Sequence, residues 1–289
     1  MDPREVIDEL LTGKQIQENE YENHELLIVC EQALGEGHDE IVQSILPYLN
    51  SSQSAIIQFR QAQMENNADL AQQFLAQALE DSRSKDQRDH MLEARIRMEW
   101  GVLRASLGEF EQAGVDLRWA LERMGAIDEG HRWHGLSLLN MAAWHRNRGE
   151  SGMALAMHAE ISRHGPHLVE IVATSRRRAA EILIEKKHIY SAIRNFWIAH
   201  QGFRQTNMLD EAIEAGLHWI DIGLIEVSDS APTMEEAVKQ ASPRSAGEPK
   251  PRVWINTQDL GMMVDWLKPH VHDADSIAVL ADAQSALQG

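Results

Sequence analysis

Four alanines set the spacing of this chain. Ala71, Ala113, Ala154 and Ala192 lie 42, 41 and 38 residues apart, each near the start of a stretch with helical periodicity. A side chain this small, recurring at one place in successive helices, lets a second helix come close. Gly108, Gly149 and Lys187 stand five residues before the last three alanines, where a turn is expected. One antiparallel helix pair with its turns needs about forty residues. The spacing therefore predicts repeated helix pairs in which the second helix approaches the first closely at its alanine.

The local pattern agrees. Residues 21–34 place Leu26, Leu27, Cys30, Ala33 and Leu34 on one stripe, which stops at Gly35 and Gly37. Residues 68–81 repeat this with Leu70, Ala71, Phe74, Leu75, Ala78 and Leu79, and residues 110–124 with Phe110, Ala113, Leu117, Ala120, Leu121 and Met124. Apolar residues three and four apart make one face of a helix. There is no sustained two-residue alternation and no Asn-Gly or Asp-Gly hairpin. The predicted class is all-α, with helices of about 12–20 residues joined by short breaks.

Composition narrows the function. One cysteine, Cys30, in 289 residues excludes an internal disulfide framework and a cysteine-based zinc finger. No apolar run reaches the ~18 residues of a membrane span. The first residues, Met1-Asp2-Pro3-Arg4-Glu5, lack the basic start and apolar core of a secretion signal. We expect a cytoplasmic protein without a membrane partner. The net charge of −18 argues against a nucleic-acid partner. That charge is uneven: residues 1–82 carry −13, residues 83–204 carry +4 and residues 205–289 carry −9. The basic middle reads as an anion-binding surface or as solvated helix faces.

The turn segments carry a family likeness. Leu107-Gly108-Glu109-Phe110-Glu111-Gln112-Ala113 follows Trp100-Gly101. Gly149-Glu150-Ser151-Gly152-Met153-Ala154 follows Ala142 and precedes Pro166, and Lys187-His188-Ile189-Tyr190-Ser191-Ala192 forms a third unit. Across about residues 20–226 the chain resembles the tetratricopeptide (TPR) superfamily. Its spacing exceeds the usual ~34 residues, and in this it is similar to long-helix variants such as those of kinesin light chains. The resemblance implies a TPR-like α-solenoid of about five antiparallel helix pairs with a C-terminal extension. Periodicity alone leaves an irregular α-solenoid of another family open. Residues 209–213 also read as the start of a second repeat helix, in conflict with Ala192 only twenty residues earlier.

The predicted organisation is a short N-terminal helix over residues 1–20, repeats over 21–227, a Pro-rich linker over 228–252 and a helical segment over 253–289. Asp2-Pro3 opens the first helix and Gly13 ends it. Within the linker, residues 233–240 suit two helical turns with Thr233 and Glu236 as a capping box. Pro243, Pro249 and Pro251 punctuate the rest. Trp254, Leu260, Met263, Val264, Trp266 and Leu267 are more apolar than a free tail, so this segment is expected to cap the last pair or to occupy the groove.

In TPR arrays the first helix of each pair lines a groove that holds peptides. The resemblance places Arg95, Arg97, Asn140, Arg146, Arg177 and Arg178 there. Arginines at such places pair with carboxylates or phosphates; the competing expectation is local pairing, such as Arg177 with Glu181. Met98 and Val102 stand where a carboxylate clamp for chaperone tails would want Lys and Asn. Cys30 lies on a core stripe and reads as core, not as a nucleophile. His131 and His134, with His158 or His164, have metal-chelating spacing, as does the run from His270 to Asp275, but no metalloenzyme motif accompanies them. No nucleophile-elbow, P-loop or dinucleotide motif is present. The expected function is non-catalytic and needs no cofactor: a scaffold or adaptor binding a protein or peptide, acidic in character. The alternatives are a regulator sensing a peptide or small anion and, with least support, a metal-dependent helical enzyme. Self-association of acidic ends with the basic middle competes with a foreign partner.

Overall fold

The computed structural model describes residues 2–17, 20–84, 88–240 and 255–288. These form fifteen α-helices and one 3-10 turn, and among the described residues there is no strand, only an isolated bridge between Val227 and Ile255. The chain divides into two compact units, Met1–Arg123 and Met124–Gly289. The first holds α1 (Pro3–Leu11), α2 (Asn23–Glu36), α3 (Asp39–Ile45), α4 (Ser51–Met64), α5 (Ala68–Ser82), α6 (His90–Ser106) and most of α7 (Phe110–Ile127). The second holds α8 (Arg132–Asn147), α9 (Ser151–Glu160), α10 (Val169–Glu185), α11 (Ile189–Gln205), α12 (Leu209–Gly223), α13 (Met234–Gln240), α14 (Thr257–Leu267) and α15 (Ala274–Gln288). Neighbouring helices pack as pairs, among them α4 with α5, α8 with α9 and α10 with α11.

One turn geometry recurs through both units. Gly37, Asn66, Gly108, Gly149, Lys187 and Asn207 all adopt positive φ, between 55° and 83°. After each, the next residue donates its backbone N–H to the carbonyl five residues back: His38 to Ala33, Asn67 to Ala62, Glu109 to Arg104, Glu150 to His145, His188 to Leu183 and Met208 to Phe203, at 2.8–2.9 Å. This closure satisfies a carbonyl left open at the helix end, and it needs a left-handed residue that glycine and asparagine adopt readily. Gly35, expected to stop α2, is helical; the stop is Gly37 alone.

The turn also explains the alanines. Ala71, Ala113, Ala154, Ala192 and Ala212 each lie five residues past a left-handed residue. Each donates to the carbonyl of the residue just after that turn position, 3.0–3.1 Å away, and so closes the first turn of the new helix. All five are at most 1% exposed. In the α6–α7 pair the approach is tight from both sides: a Cβ on Gly101 would fall 2.5 Å from Leu117 Cγ and 3.1 Å from the Ala113 carbonyl oxygen. Ala192 and Ala212, which could not both be placed from spacing, are both in register. The twenty residues between them are one helix and one turn, and α11 lies against both α10 and α12.

The segment after α12 folds back onto it. Ile255, Leu260, Met263, Val264 and Leu267 join the core formed by α11 and α12, with Phe196, Trp219 and Ile220. Gly216 makes room on α12: a Cβ there would lie 3.1 Å from Met263 Sδ and 3.3 Å from Leu267 Cδ2. The Trp266 ring meets the His200 ring edge-on at 4.7 Å, and the Arg204 guanidinium lies 4.9 Å from its centroid. Helix α13 starts with the expected capping box, Glu236 N–H on Thr233 Oγ1 at 3.3 Å and Thr233 N–H on Glu236 Oε2 at 3.1 Å. It is tied to α14 by Met234 N–H donating to Asp259 Oδ2 at 2.6 Å. The described part of this segment therefore covers the end of α12. Trp254 and the linker prolines Pro243, Pro249 and Pro251 fall outside the described residues.

Two stability predictions follow from this geometry. Ala113→Leu, Ala154→Leu, Ala192→Leu and Ala212→Leu should each cost about 1–3 kcal/mol in urea unfolding. Ala156→Leu, exposed on α9, should be neutral, and an equal effect at all five positions would overturn the close-approach assignment. Leu267→Ala, at a fully buried position, should cost about 2–5 kcal/mol. Ile277→Ala, half exposed on α15, should leave the midpoint in place.

Candidate functional site

Three consecutive arginines on α10 point three ways, because successive helical positions turn by about 100°. Arg176 is buried and donates to the carbonyl of His158, at 3.1 Å, and to that of Ile161. Both carbonyls close the C-terminal end of α9, where a cation satisfies open acceptors and opposes the negative end of the helix dipole. Arg177 reaches Glu214 on α12. The local pair expected between Arg177 and Glu181 does not form. Glu181 instead accepts from Arg146 Nη1 of α8 at 2.5 Å, and Glu185 from Arg146 Nη2 at 2.7 Å. Ion pairs thus join α8 to α10 and α10 to α12. They are part-exposed, so each is worth about 0–1 kcal/mol and sets geometry more than stability.

Arg178 differs from its neighbours. It is half-buried, and among the described residues it makes neither a hydrogen bond nor an ion pair. It lines a pocket of about 290 Å³ together with Arg146, Arg177, His158 and Glu181. Burial, and next the charges of Arg177 and Arg146, push the Arg178 pKa down, while Glu181 pulls it up. Arg146 is shifted the other way, raised by its bonds to Glu181 and Glu185. His158 sits behind them, 2% exposed, with Nδ1 3.2 Å from Ser175 Oγ. Burial and the charges of Arg178, Arg176 and Arg146 push its pKa down to about 3, so it stays neutral. Three guanidiniums thus share one pocket with a single lining carboxylate. A guanidinium offers a planar fork of donors that matches a carboxylate or phosphate.

The other candidates from the sequence lie elsewhere. Arg95 is 3% exposed and pairs with Glu31 inside the first unit. Arg97 holds Asp116 at 3.3 Å and covers the Trp119 ring at 4.3 Å, and Arg104 shares the same carboxylate. These arginines tie helices together. Asn140 is half-buried on α8, outside the lining of the arginine pocket. Arg146, Arg177 and Arg178 are the three that the fold brings together.

The histidines have structural partners. His131 caps α8 by accepting from Trp133 N–H at 3.3 Å, and His134 accepts from Gly130 N–H at 3.0 Å and stacks on His167. Asp273 caps α15 at Ser276 N–H. Among the described residues no group of three or more His, Cys, Asp or Glu is placed to hold a metal ion. Cys30 is buried, and burial pushes its thiol up to about 12. No helix among the described residues is long and apolar enough to cross a membrane. A second cavity, of about 620 Å³, lies between α10, α11 and α13. Its lining runs from Arg163 to Lys239 with no shared motif, so it had no signature in the sequence.

Two buried histidines give the fold an acid limit. His200, bonded through Nδ1 to the Ala212 carbonyl at 2.8 Å, is lowered to about 4 by burial, with Arg204 adding to the shift; His158 is lowered to about 3. Both start from 6.5 when unfolded. Below that pH the unfolded chain takes up protons that the folded chain refuses until its own lower values. Their contribution to stability is therefore complete above pH 6.5 and falls by up to about 1.4 kcal/mol per pH unit per histidine below it. Urea midpoints across this range should drop less steeply in the His158→Gln, His200→Gln double variant. An unchanged slope would show that other groups set the acid limit.

No protein-family model matches the chain, and no curated protein matches it in sequence.

Proposed function

We propose that this chain is a TPR-like helical-repeat protein that binds an acidic segment of a protein or peptide, without catalysing a reaction. The observation that carries this reading is the convergence of Arg146, Arg177 and Arg178 on one pocket, with Arg178 left without an ion pair among the described residues. A part-desolvated cation without a partner is unfavourable by itself, and an incoming carboxylate or phosphate relieves it. The recurring turn, with its alanine five residues on, supports the repeat reading; so do ion pairs that join alternate helices α8, α10 and α12. The +4 charge of residues 83–204 favours an acidic partner over a basic one.

A small anion sensed by the same arginines is the second reading, favoured by the modest pocket volume of about 290 Å³. A poly-glutamate peptide and inorganic phosphate separate the two. Binding of the peptide, measured by fluorescence anisotropy, should weaken with salt and drop at least about tenfold in Arg178→Ala, a loss of about 1.4 kcal/mol. The Arg177→Glu, Arg178→Glu double variant should lose binding altogether while keeping its helical circular dichroism. Phosphate binding without peptide binding would select the sensor. A mass that rises with concentration and collapses in high salt would instead show the acidic ends of one copy on the basic middle of another. Equal peptide affinity in wild type and both variants would overturn the assignment of the pocket.

A further inference from the structure

The larger cavity, of about 620 Å³, has a different chemistry and shares no lining residue with the arginine pocket. Val169, Val172 and Ala173 of α10 and Trp197 and Gly202 of α11 form apolar walls. The two helices touch where Gly202 meets Ala173: a Cβ on Gly202 would lie 2.8 Å from the Ala173 Cβ, so the cavity is closed on that side. Helix α13 supplies another wall, through Val238.

The charged groups at its edge are unequal. Glu235 and Lys239 of α13 pair with each other at 2.6 Å. Arg163 has no carboxylate within ion-pair distance among the described residues. It donates from Nη2 to the Val238 carbonyl at 2.7 Å and from Nε to His164 Nε2 at 3.0 Å, neither of them a carboxylate. Burial lowers its pKa, and its charge in turn lowers those of Arg176 and Arg194. The cavity therefore joins an apolar interior to one uncompensated positive charge.

We propose that this cavity binds a small amphipathic monocarboxylate, its carboxylate on Arg163 and its apolar body against Trp197, Val169 and Val172. The volume falls within the ~300–1,000 Å³ of sites for small organic ligands, which are mostly apolar with a few placed polar groups. A single guanidinium with no carboxylate in ion-pair distance among the described residues matches one negative charge; a phosphate dianion would leave charge in excess beside apolar walls. A neutral apolar ligand would fill the walls but leave Arg163 as unpaired as before. This assignment stands independently of the peptide reading.

Calorimetric titration of the full chain with decanoate, decanol and acetate tests it. Decanoate should bind saturably at one site per chain, decanol at least about tenfold more weakly, and acetate not at all. Gln201→Trp places a large side chain from an exposed lining position of α11 into the cavity and should abolish decanoate binding with helical content intact. Arg163→Gln should bring decanoate to the affinity of decanol. If that variant fails to fold, the comparison of decanoate with decanol on the wild-type chain still decides. Equal binding of decanoate and decanol, no saturable decanoate site, or full decanoate affinity in Gln201→Trp would each overturn the proposal.

Discussion

Everything in this fold is hung on the closure of a helix end by a left-handed residue. A helix that stops leaves four carbonyls open, and the chain answers in the same way at Gly37, Asn66, Gly108, Gly149, Lys187 and Asn207. The closure fixes the direction in which the next helix leaves. It also fixes which residue of that helix first bonds to its own backbone, and at five of the six turns this is a buried alanine. A turn with a set geometry and a small residue at a set distance from it bring the two helices to the same close approach each time. Long side chains then fill the space above and below: Leu117 against Gly101, Phe196 and Trp219 around Ala192 and Ala212.

The arginines differ in how their donors are used. Arg95, Arg97, Arg104 and Arg176 are spent on neighbouring helices, as ion pairs or as donors to the last carbonyls of α9. Burying a guanidinium is unfavourable unless its donors are used, and these four are used. Arg178 departs from that rule, whereas Arg163, like Arg176, meets it without a carboxylate among the described residues. Among the described residues Arg178 has neither a hydrogen bond nor an ion pair, and Arg163 has hydrogen bonds to Val238 and His164 but no carboxylate within ion-pair distance. Each lines a cavity, of about 290 Å³ at Arg178 and about 620 Å³ at Arg163. His158 belongs to the same economy: kept neutral, it adds no further positive charge to a crowded cluster.

The end of the last hairpin is handled by the chain itself. Helix α14 packs Met263 and Leu267 against Gly216 of α12 and brings Leu260, Met263 and Leu267 into the core that holds Trp219. Glycine at 216 is what permits that approach, since any Cβ would crowd the sulfur of Met263. The Asp259 carboxylate holds the start of α13, and Arg163 holds its other end through the Val238 carbonyl. The short helix is thereby placed as a wall of the second cavity.

The sequence alone determined the all-α class, the positions of Gly108, Gly149 and Lys187 in turns, the alanine spacing and the capping box at Thr233, because each is a local pattern read along a few residues. The resemblance to TPR groove helices also pointed to Arg146, Arg177 and Arg178, together with Arg95, Arg97 and Asn140. Only the tertiary structure decided that Arg177 turns to Glu214 instead of Glu181, that Arg95 and Arg97 are occupied within the first unit, and that Ala192 and Ala212 share one register. Those choices depend on which helices lie side by side, and periodicity is the same whichever neighbour a face meets. The cavity at Arg163 and Trp197 was unreadable for the same reason: its residues come from three helices and a loop, and nothing in their order along the chain reports that they enclose a common space.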